Sequence, residues 1–422
     1  MTPKRKNLWT LTKTPVMTKT ETRLSLTGLT QDEINFIAKQ CGFTKVLNWE
    51  MEDFADKIIG YLGDHMKLIM EVETNGISST LNLFVKCMPR FDKWKAEYLK
   101  ELGFFNKEFV MLSTLFNEFE NEEIFVFENV SLFGYVMPHH QETMTFEELK
   151  VSVETLARFH AQSYIYEERK SNQLGRSYRI WEHFSDYLQE PNRGLDWRDT
   201  GRNAVIDYLK VYSKYKSKPN FNRYIESILP TLFESAMDLM KPSLEYRNVI
   251  VHRDLWTNNI FLKKEHNSTC HALFVDFQTV IYTSPMLDLS SLIYFNTTRS
   301  DRDKWTDELI EIYYLVLSEE LQADGIDIEH IFNRTTLAEA YNKSIIFGIT
   351  QAAIITPIVA MSKEKREEIF CDPESAERAN VVTRSQEFID IAKEDEKYRI
   401  RITELFDEIV ERFVFPKKML SA

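Results

Sequence analysis

The sequence has few cysteines, and none is placed for metal binding or thiol–disulfide chemistry. No two of its four cysteines have the Cys-x-x-Cys spacing, which argues against the common zinc and dithiol patterns. Scattered cysteines are typical of proteins from a reducing compartment, so we expect free thiols and a cytoplasmic location. The four are Cys41, Cys87, Cys270 and Cys371.

Glycine, proline and long apolar runs are also scarce. Gly and Pro each contribute 12 of the 422 residues, which argues against a low-complexity chain. No apolar run approaches the roughly 18 residues that a membrane span requires, so we expect none. Residues 1–25 are basic and rich in threonine but lack the apolar core of a secretory signal. We expect a mobile tail there, with a transit peptide as the less favoured alternative.

The chain carries fewer positive than negative side chains. The chain has 52 Lys and Arg against 65 Asp and Glu, a net charge of −13, which disfavours nucleic acid or an anionic membrane as the main partner. Aromatic residues are abundant at 13%, and 43% of residues are apolar, as in a folded globular protein. A chain of 422 residues exceeds what one hydrophobic core usually supports, so we expect two lobes.

The first part of the chain predicts a small sheet with helices. Thr30 and Glu33 form a capping-box pattern that begins a first helix. Apolar and polar residues alternate over 66–73 and 80–87, and the turn residues between them indicate a hairpin. An amphipathic helix around 104–116 and an apolar strand at 124–128 follow. We expect these elements to form an N-terminal lobe over residues 26–129.

The second part is predicted to be mostly helical. Thr145 and Glu148 form a capping-box pattern that begins a helix. Helical periodicity then continues to the C-terminus, interrupted by one β-rich island over 249–280. The predicted class is therefore α+β, with an antiparallel-sheet N-terminal lobe and a helical C-terminal lobe over 130–422.

The β-rich island gathers polar residues that suit a metal. Two short strands, IFLKK and HALFV, are joined by a turn. An antiparallel pair places Asn259, before the first strand, beside Asp276, after the second, with about 5 Å between their Cα atoms. Asp254 lies five residues before Asn259 and enters the same place. Carboxylate and amide oxygens are ligands that Mg²⁺ prefers.

The same island matches a known catalytic pattern. Residues 252–259 follow the form H-R-D-x-x-x-x-N, and residues 276–278 read D-F-Q where protein kinases have D-F-G. Together with SPMLDLSSLIYF at 284–295 and further blocks over about 55–300, the chain resembles the ecdysteroid kinase-like family. That family is related to choline and aminoglycoside kinases, so the resemblance implies a bilobal, protein-kinase-like fold.

The resemblance implies an enzyme that transfers the γ-phosphate of ATP to an alcohol, with Mg²⁺ as cofactor. Asp254 would accept or orient the proton of the acceptor hydroxyl, with Asn259 as its catalytic partner. Asn259 and Asp276 would hold the metal. His252 would support the catalytic loop through hydrogen bonds, and Asp288, 12 residues after Asp276, would brace it.

The resemblance also implies nucleotide contacts in the N-terminal lobe. Lys86 would bind phosphate, and Glu108 on the following helix would pair with it. Glu128 and Val130 would lie in a hinge that offers backbone groups to adenine. The loop that covers the phosphates is not recognisable, because only Gly60 and Gly63 lie shortly before the relevant strand and the G-x-G-x-x-G pattern is missing.

Each of these residues also has a simpler explanation. Asp254 and Asp276 could cap turns at strand ends, and Lys86 could be a solvated strand charge. Arg253 could be inert, because related small-molecule kinases commonly carry glycine there. The adjacent His139 and His140 resemble metal ligands but lack acid or thiol partners, which favours a surface position.

The substrate is less defined than the reaction. An ecdysteroid or related lipophilic alcohol is the leading expectation, and the aromatic stretch over 177–197 could line its pocket or simply pack the lobe. The alternatives are a detoxifying kinase for xenobiotic, choline-like or aminoglycoside-like alcohols, and a nucleotide-binding pseudokinase. The missing D-F-G glycine and the short segment before Asp288 argue against a protein kinase.

Overall fold

The computed structural model describes residues 8–10, 29–53, 63–89, 93–116, 124–139, 142–190, 195–265, 268–370 and 372–416. The chain divides into two compact units, Met1–Tyr135 and Val136–Ala422. The boundary predicted at residue 129 lies inside the first unit. That the first unit binds ATP stays a prediction.

The first unit is built on an antiparallel sheet in which the strands lie in the order β1-β5-β4-β3-β2. Asn75 and Gly76 join β3 to β4 with positive φ angles of 54° and 75°, the two-residue turn that suits a twisted hairpin. The predicted hairpin is therefore confirmed. The strands are β1 (Leu8–Thr10), β2 (Lys45–Asp53), β3 (Asp64–Thr74), β4 (Ile77–Cys87) and β5 (Ile124–Glu128).

Strand β1 lies within the segment predicted to be a mobile tail. Leu8–Thr10 pairs antiparallel with β5, with Trp9 opposite Val126. These three residues therefore add an edge strand to the sheet, which the sequence pattern did not predict. The rest of residues 1–25 lies outside the described residues.

Helix α1 (Gln31–Gln40) covers one face of this sheet. Its predicted capping box is present: the Glu33 carboxylate accepts from the Thr30 backbone N–H at 2.6 Å, and the Thr30 hydroxyl accepts from the Glu33 N–H at 3.3 Å. Ile34 and Ile37 are fully buried against apolar residues of β3 and β4. The later helices of the unit are α2 (Lys93–Leu102) and α3 (Phe104–Phe116), followed by a 3-10 turn at Val130–Phe133 and a short strand β6 (Tyr135–Val136).

The second unit is mostly helical, as predicted. Its first long helix begins with the predicted capping box of Thr145 and Glu148. The helices are α4 (Phe146–Leu174), α5 (Trp181–Phe184), α6 (Leu195–Tyr212), α7 (Phe221–Asp238), α8 (Met286–Asn296), α9 (Arg299–Ala323), α10 (Arg334–Val359), α11 (Lys363–Phe370), α12 (Pro373–Glu377), α13 (Ser385–Glu394) and α14 (Glu396–Ile409). Helix α8 is buried along its whole length.

The β-rich island interrupts these helices as predicted. Strand β7 (Val249–Val251) pairs antiparallel with β10 (Ile281–Thr283). Between them, β8 (Ile260–Glu265) and β9 (Ser268–Phe274) form the predicted hairpin, with Ile260 opposite Phe274. These short strands place two loops, 252–259 and 275–280, side by side. The α+β class, with an N-terminal antiparallel sheet and a helical remainder, is thus confirmed.

Helix α10 has the length and apolar composition of a membrane span. It is the one helix of the described part of the chain that passes this test, and 67% of its most apolar window is buried inside the unit. Gly348 lies so close to α8 that an added Cβ would be 2.7 Å from the Ser290 backbone. Close packing on another helix is typical of a core helix.

Candidate active site

The hairpin β8–β9 brings Asn259 and Asp276 to the same end of the two strands. The backbone N–H of Val275 donates to the Asn259 carbonyl at 3.0 Å, so Asp276 follows directly after the residue that faces Asn259. Asp276 has a positive φ of 68°, which aspartate adopts more readily than most residues. The predicted convergence of these two side chains at one loop edge agrees with this geometry.

Asn259 also holds the catalytic loop in shape. Its side-chain Nδ2 donates to Asp254 Oδ2 at 3.0 Å and to the Asp254 carbonyl at 2.8 Å. Both bonds to Asp254 come from Nδ2 of the buried Asn259. The amide oxygen of Asn259 therefore points away from Asp254. Asn259 therefore orients the Asp254 carboxylate, and its own amide oxygen is not used in that contact.

The Asp254 carboxyl has a raised pKa. Burial is the largest cause, because the ionised form loses hydration, and the negative charge of Asp276 adds to it. His252, the indole N–H of Trp256 and Arg253 act in the opposite direction. A carboxylate that is more basic than usual and half-buried in a loop suits proton acceptance.

His252 is fully buried and serves the loop structurally, as predicted. Its Nε2 lies 2.8 Å from the Val275 carbonyl, which can only accept, so Nε2 carries the proton. Its Nδ1 then accepts the backbone N–H of Asp254 at 3.3 Å. The imidazole thus links the loop of Asp254 to the strand end that leads to Asp276.

Asp288 at the start of α8 braces the catalytic loop. Its two oxygens accept the backbone N–H groups of His252 and Arg253 at 2.6 Å each. His160 on α4 contacts Asp288 Oδ2 through Nε2 at 3.2 Å and the Tyr313 hydroxyl through Nδ1 at 2.8 Å. The bracing role expected for Asp288 agrees with these contacts, whereas the part of His160 was not predicted.

Arg253 is engaged in the structure and not inert. It has a positive φ of 72° and is 5% exposed. Its guanidinium forms an ion pair with Glu190, and Arg198 on α6 donates to the same carboxylate at 2.9 Å. The Arg253 side chain therefore connects the catalytic loop to Glu190.

The aromatic stretch over 177–197 mainly packs the unit where the structure describes it. Tyr178, Ile180 and Leu188 are buried, and Trp181 stacks on Tyr282 of β10. The backbone N–H of Tyr282 donates to the Leu188 carbonyl at 2.9 Å. This segment is thereby fixed beside the island that carries the catalytic loop. Residues 191–194 lie outside the described residues.

In the first unit, Lys86 and Glu108 form the predicted pair. Lys86 Nζ lies 2.6 Å from Glu108 Oε2, and both side chains are almost completely buried. Gly63 lies on the stem of Lys86, where an added Cβ would be 3.5 Å from Lys86 Cγ. Gly60, the other glycine considered for a phosphate-covering loop, lies outside the described residues.

The proposed hinge residues lie at the end of β5. Glu128 is opposite Leu83 of β4, and Val130 begins the 3-10 turn that the Asn129 side chain caps by accepting the Ser131 N–H at 3.2 Å. Their contact with adenine stays a prediction.

The donor set suits a cation that also binds a ligand's oxygens. Within the described ranges, no three His, Cys, Asp or Glu side chains gather closely enough to hold a metal alone. His139 is exposed, and His140 lies outside the described residues. The chain offers the Asp276 carboxylate and the Asn259 amide oxygen, a set that fits Mg²⁺ if phosphate oxygens and water complete its coordination.

The comparisons with known proteins agree with the family resemblance. The model of the ecdysteroid kinase-like family matches residues 117–325, which include the whole catalytic island. The match confirms the resemblance predicted from the motifs and the enzyme class that it implied, a small-molecule kinase with a protein-kinase-like fold. No curated protein matches the chain.

Several solved structures are remotely similar. The ethanolamine kinase of Plasmodium vivax is 9% identical, with 88% of this chain and 91% of that chain covered and a TM-score of 0.40. A choline/ethanolamine kinase family protein from Mesorhizobium loti is 12% identical, with 78% and 98% covered and a TM-score of 0.27. A microcompartment-associated aminopropanol kinase is 12% identical, with 78% and 99% covered and a TM-score of 0.29.

Proposed function

We propose that this chain, whose residues 117–325 match the model of the ecdysteroid kinase-like family, transfers the γ-phosphate of ATP to the hydroxyl of a lipophilic small molecule, with an ecdysteroid as the best candidate. One observation carries the proposal. The Asp254 carboxylate is oriented by Asn259 at 3.0 Å, and its pKa is raised by burial and by Asp276. A basic carboxylate at a site built for a cation is what phosphate transfer to an alcohol requires.

Asp254 is proposed to receive the proton of the acceptor. The acceptor oxygen forms a bond to the γ-phosphorus, the bond from that phosphorus to the bridging oxygen of ATP breaks, and ADP leaves. The hydroxyl proton passes to Asp254. Asn259 keeps the carboxylate in one orientation, and Asp288 fixes the loop backbone through the N–H groups of His252 and Arg253. Such positioning accounts for much of catalysis in phosphoryl transfer.

Charge on the phosphates is proposed to be met by a metal ion and by a lysine. Asn259 and Asp276 would hold Mg²⁺, which neutralises phosphate charge when bound. Lys86 of the first unit would contact phosphate, and Glu108 would hold its ammonium in place, as the 2.6 Å contact of the two buried side chains supports. A chain with a net charge of −13 needs such local cations to bind a nucleotide.

A panel of acceptors tests the proposed function. Purified protein is incubated with ATP, Mg²⁺ and ecdysteroids, sterols, choline or aminoglycosides, and phosphorylated products are identified by mass. We expect a product with a lipophilic alcohol, and no product with the Asp254→Asn variant at equal concentration. If the protein binds ATP but phosphorylates no acceptor of the panel, the proposed activity is wrong and a nucleotide-binding pseudokinase is favoured.

A further inference from the structure

The last turn of helix α8 contacts the catalytic loop through one buried side chain. Asn296 is fully buried, and its Nδ2 donates to the Leu255 carbonyl at 2.9 Å and to the Leu292 carbonyl of its own helix at 2.8 Å. Both partners are carbonyls, which only accept, so the amide nitrogen is the atom that makes these bonds. Leu255 directly follows Asp254 in the chain. The end of α8 is therefore hydrogen-bonded to the backbone beside the proposed base.

Helix α8 thereby holds the catalytic loop on both sides of Asp254. In its first turn, the Asp288 oxygens accept the two backbone N–H groups that precede Asp254 in the chain, at 2.6 Å each. In its last turn, Asn296 donates to the carbonyl of Leu255. A shift of the loop along or away from the helix would break a hydrogen bond at one of these two points. The loop backbone is thus fixed to both ends of a single buried helix.

The end of α8 that carries Asn296 is itself fixed by a buried ion pair. Glu408 of α14 is fully buried, its Oε1 accepts the Tyr294 hydroxyl at 3.0 Å, and its Oε2 accepts from Arg302 at 2.6 Å. Arg302 also donates to the Thr297 carbonyl at 2.7 Å, directly after Asn296. A side chain that positions another group needs a support that does not move. The C-terminal helices give the last turn of α8 such a support.

The amide oxygen of Asn296 argues against a purely stabilising role for this residue. This oxygen is buried and has no hydrogen-bond partner among the residues that the structure describes. A buried polar atom without a partner destabilises the folded state. An apolar side chain would therefore suit this position better if packing were its only purpose. What an apolar side chain lacks is the amide nitrogen that donates to the Leu255 carbonyl, so this donor explains the asparagine.

We propose that Asn296 is a positioning residue for phosphate transfer, which keeps Asp254 in place by holding the carbonyl of Leu255. Asn259 orients the Asp254 carboxylate through a side-chain contact, whereas Asn296 fixes the backbone that carries this carboxylate. A displacement of about 1 Å at a reacting group can lower the rate on the order of 100-fold. This inference rests on the proposed function for its kinetic consequence and on the hydrogen bond alone for the order of the loop.

The test removes the donor in two ways. Asn296→Leu keeps the branched shape of the side chain, and Asn296→Ala avoids any crowding that the larger leucine would cause. For both variants we expect kcat with the best alcohol of the panel to fall about 10- to 100-fold. The KM for ATP should change by less than about twofold, because Asn259 and Asp276 keep their own contacts. The melting temperature should fall by less than about 4 °C, since the lost hydrogen bond is offset by removal of the unpaired oxygen.

Hydrogen–deuterium exchange measures the order of the loop without any need for activity. In both Asn296 variants, a peptide that covers residues 252–260 should exchange at least about threefold faster than in the wild-type protein. The matched control is Thr350→Val on α10. Thr350 is 2% exposed, and its hydroxyl donates to carbonyls of its own helix, Ile346 at 2.7 Å and Phe347 at 3.2 Å. This control should leave kcat and the exchange of the loop peptide within about twofold of the wild-type values.

The outcomes separate this inference from the proposed function. If the wild-type protein phosphorylates no alcohol, the proposed function fails and the kinetic role of Asn296 fails with it. If the wild-type protein is active and both Asn296 variants keep kcat within about twofold, the inference alone is wrong, and faster exchange of the loop would then mark a structural contact only. An equal loss of kcat in Thr350→Val would also overturn the inference, because it would trace the effect to general packing of the unit.

Discussion

The side-chain nitrogen of Asn259 donates to the Asp254 carboxylate at 3.0 Å. This single contact connects the two halves of the proposed chemistry. The nitrogen end of the amide orients the base, and the oxygen end is left for the cation that Asp276 would also bind. Substitutions at this pair should therefore separate acceptor activation from nucleotide binding.

Asp254→Asn should abolish turnover while largely preserving nucleotide affinity. Removing a positioned general base typically costs about 10²- to 10⁴-fold in rate. We expect the dissociation constant of Mg-ATP to change by less than about threefold, because Asp254 is proposed to contact the acceptor. Product formation and nucleotide titration measure the two effects, with Asp238→Asn, an exposed aspartate paired with Lys241, as the control. Near-normal turnover of Asp254→Asn would contradict the catalytic assignment.

The same variant should be more stable than the wild-type protein at neutral pH. The pKa of Asp254 is raised in the folded state. The protonated carboxyl therefore contributes to the free energy of unfolding at low pH, and this contribution is lost as the pH rises through the folded-state pKa. Asparagine does not ionise, so the variant keeps this contribution at neutral pH. We expect thermal denaturation to show a melting temperature higher by about 1–3 °C at pH 7. The difference should vanish near pH 4, the range in which the unfolded carboxyl titrates.

Asp276→Asn should remove the magnesium-dependent part of nucleotide binding. Asparagine tolerates the positive φ of 68° at this position, so the loop is expected to persist while the negative ligand is lost. Nucleotide affinity is measured with Mg²⁺ and with EDTA. The wild-type protein should bind ATP at least about tenfold more tightly with Mg²⁺, and the variant should show little difference. A full magnesium effect in the variant would rule out Asp276 as a ligand.

Lys86→Met should weaken ATP binding and lower the free energy of unfolding of the first unit. It leaves the Glu108 carboxylate, which is 1% exposed, without its lysine, and breaking a buried pair costs roughly 3–5 kcal/mol. The double variant Lys86→Met with Glu108→Leu removes both charges, so the free energy of unfolding should recover. The KM for ATP should stay high in both. Recovery of ATP affinity in the double variant would contradict the phosphate role of Lys86.

Asp288→Asn should slow the reaction by loosening the catalytic loop. An amide can accept on one side only, so one of the two backbone N–H groups loses its acceptor, which costs about 2–4 kcal/mol of unfolding free energy. We expect kcat to fall and the KM for ATP to stay near its normal value. His160→Gln is the graded comparison, because it leaves both 2.6 Å backbone contacts of Asp288 in place. A larger loss of kcat in His160→Gln than in Asp288→Asn would contradict the bracing role.

Local patterns predicted the hairpins and the helix starts. Alternating residues with Asn75 and Gly76 between them specify the β3–β4 turn, since both turn residues take the positive φ that the turn requires. The capping boxes at Thr30 and Thr145 form as predicted. These features depend on residues that lie close together in the chain, which is why a single sequence was enough to predict them.

Contacts over long sequence separations were not predictable in this way. Glu190 lies 63 residues before Arg253, and His160 lies 128 residues before Asp288. Nothing in the local pattern around Glu190 distinguishes it from a solvated surface acid. The pairing of Leu8–Thr10 with β5 is a further example, since more than a hundred residues separate the two strands.

The sequence by itself predicted the reaction class, because its motifs resemble those of a kinase family, and the β8–β9 hairpin places Asn259 and Asp276 together by local geometry. The tertiary structure decided which buried groups surround them: Asp288 on the loop backbone, and two arginines on the single carboxylate of Glu190. Burial and charge balance depend on residues brought together from distant parts of the chain. For that reason these contacts, unlike the pattern of catalytic residues, could not be predicted from the sequence.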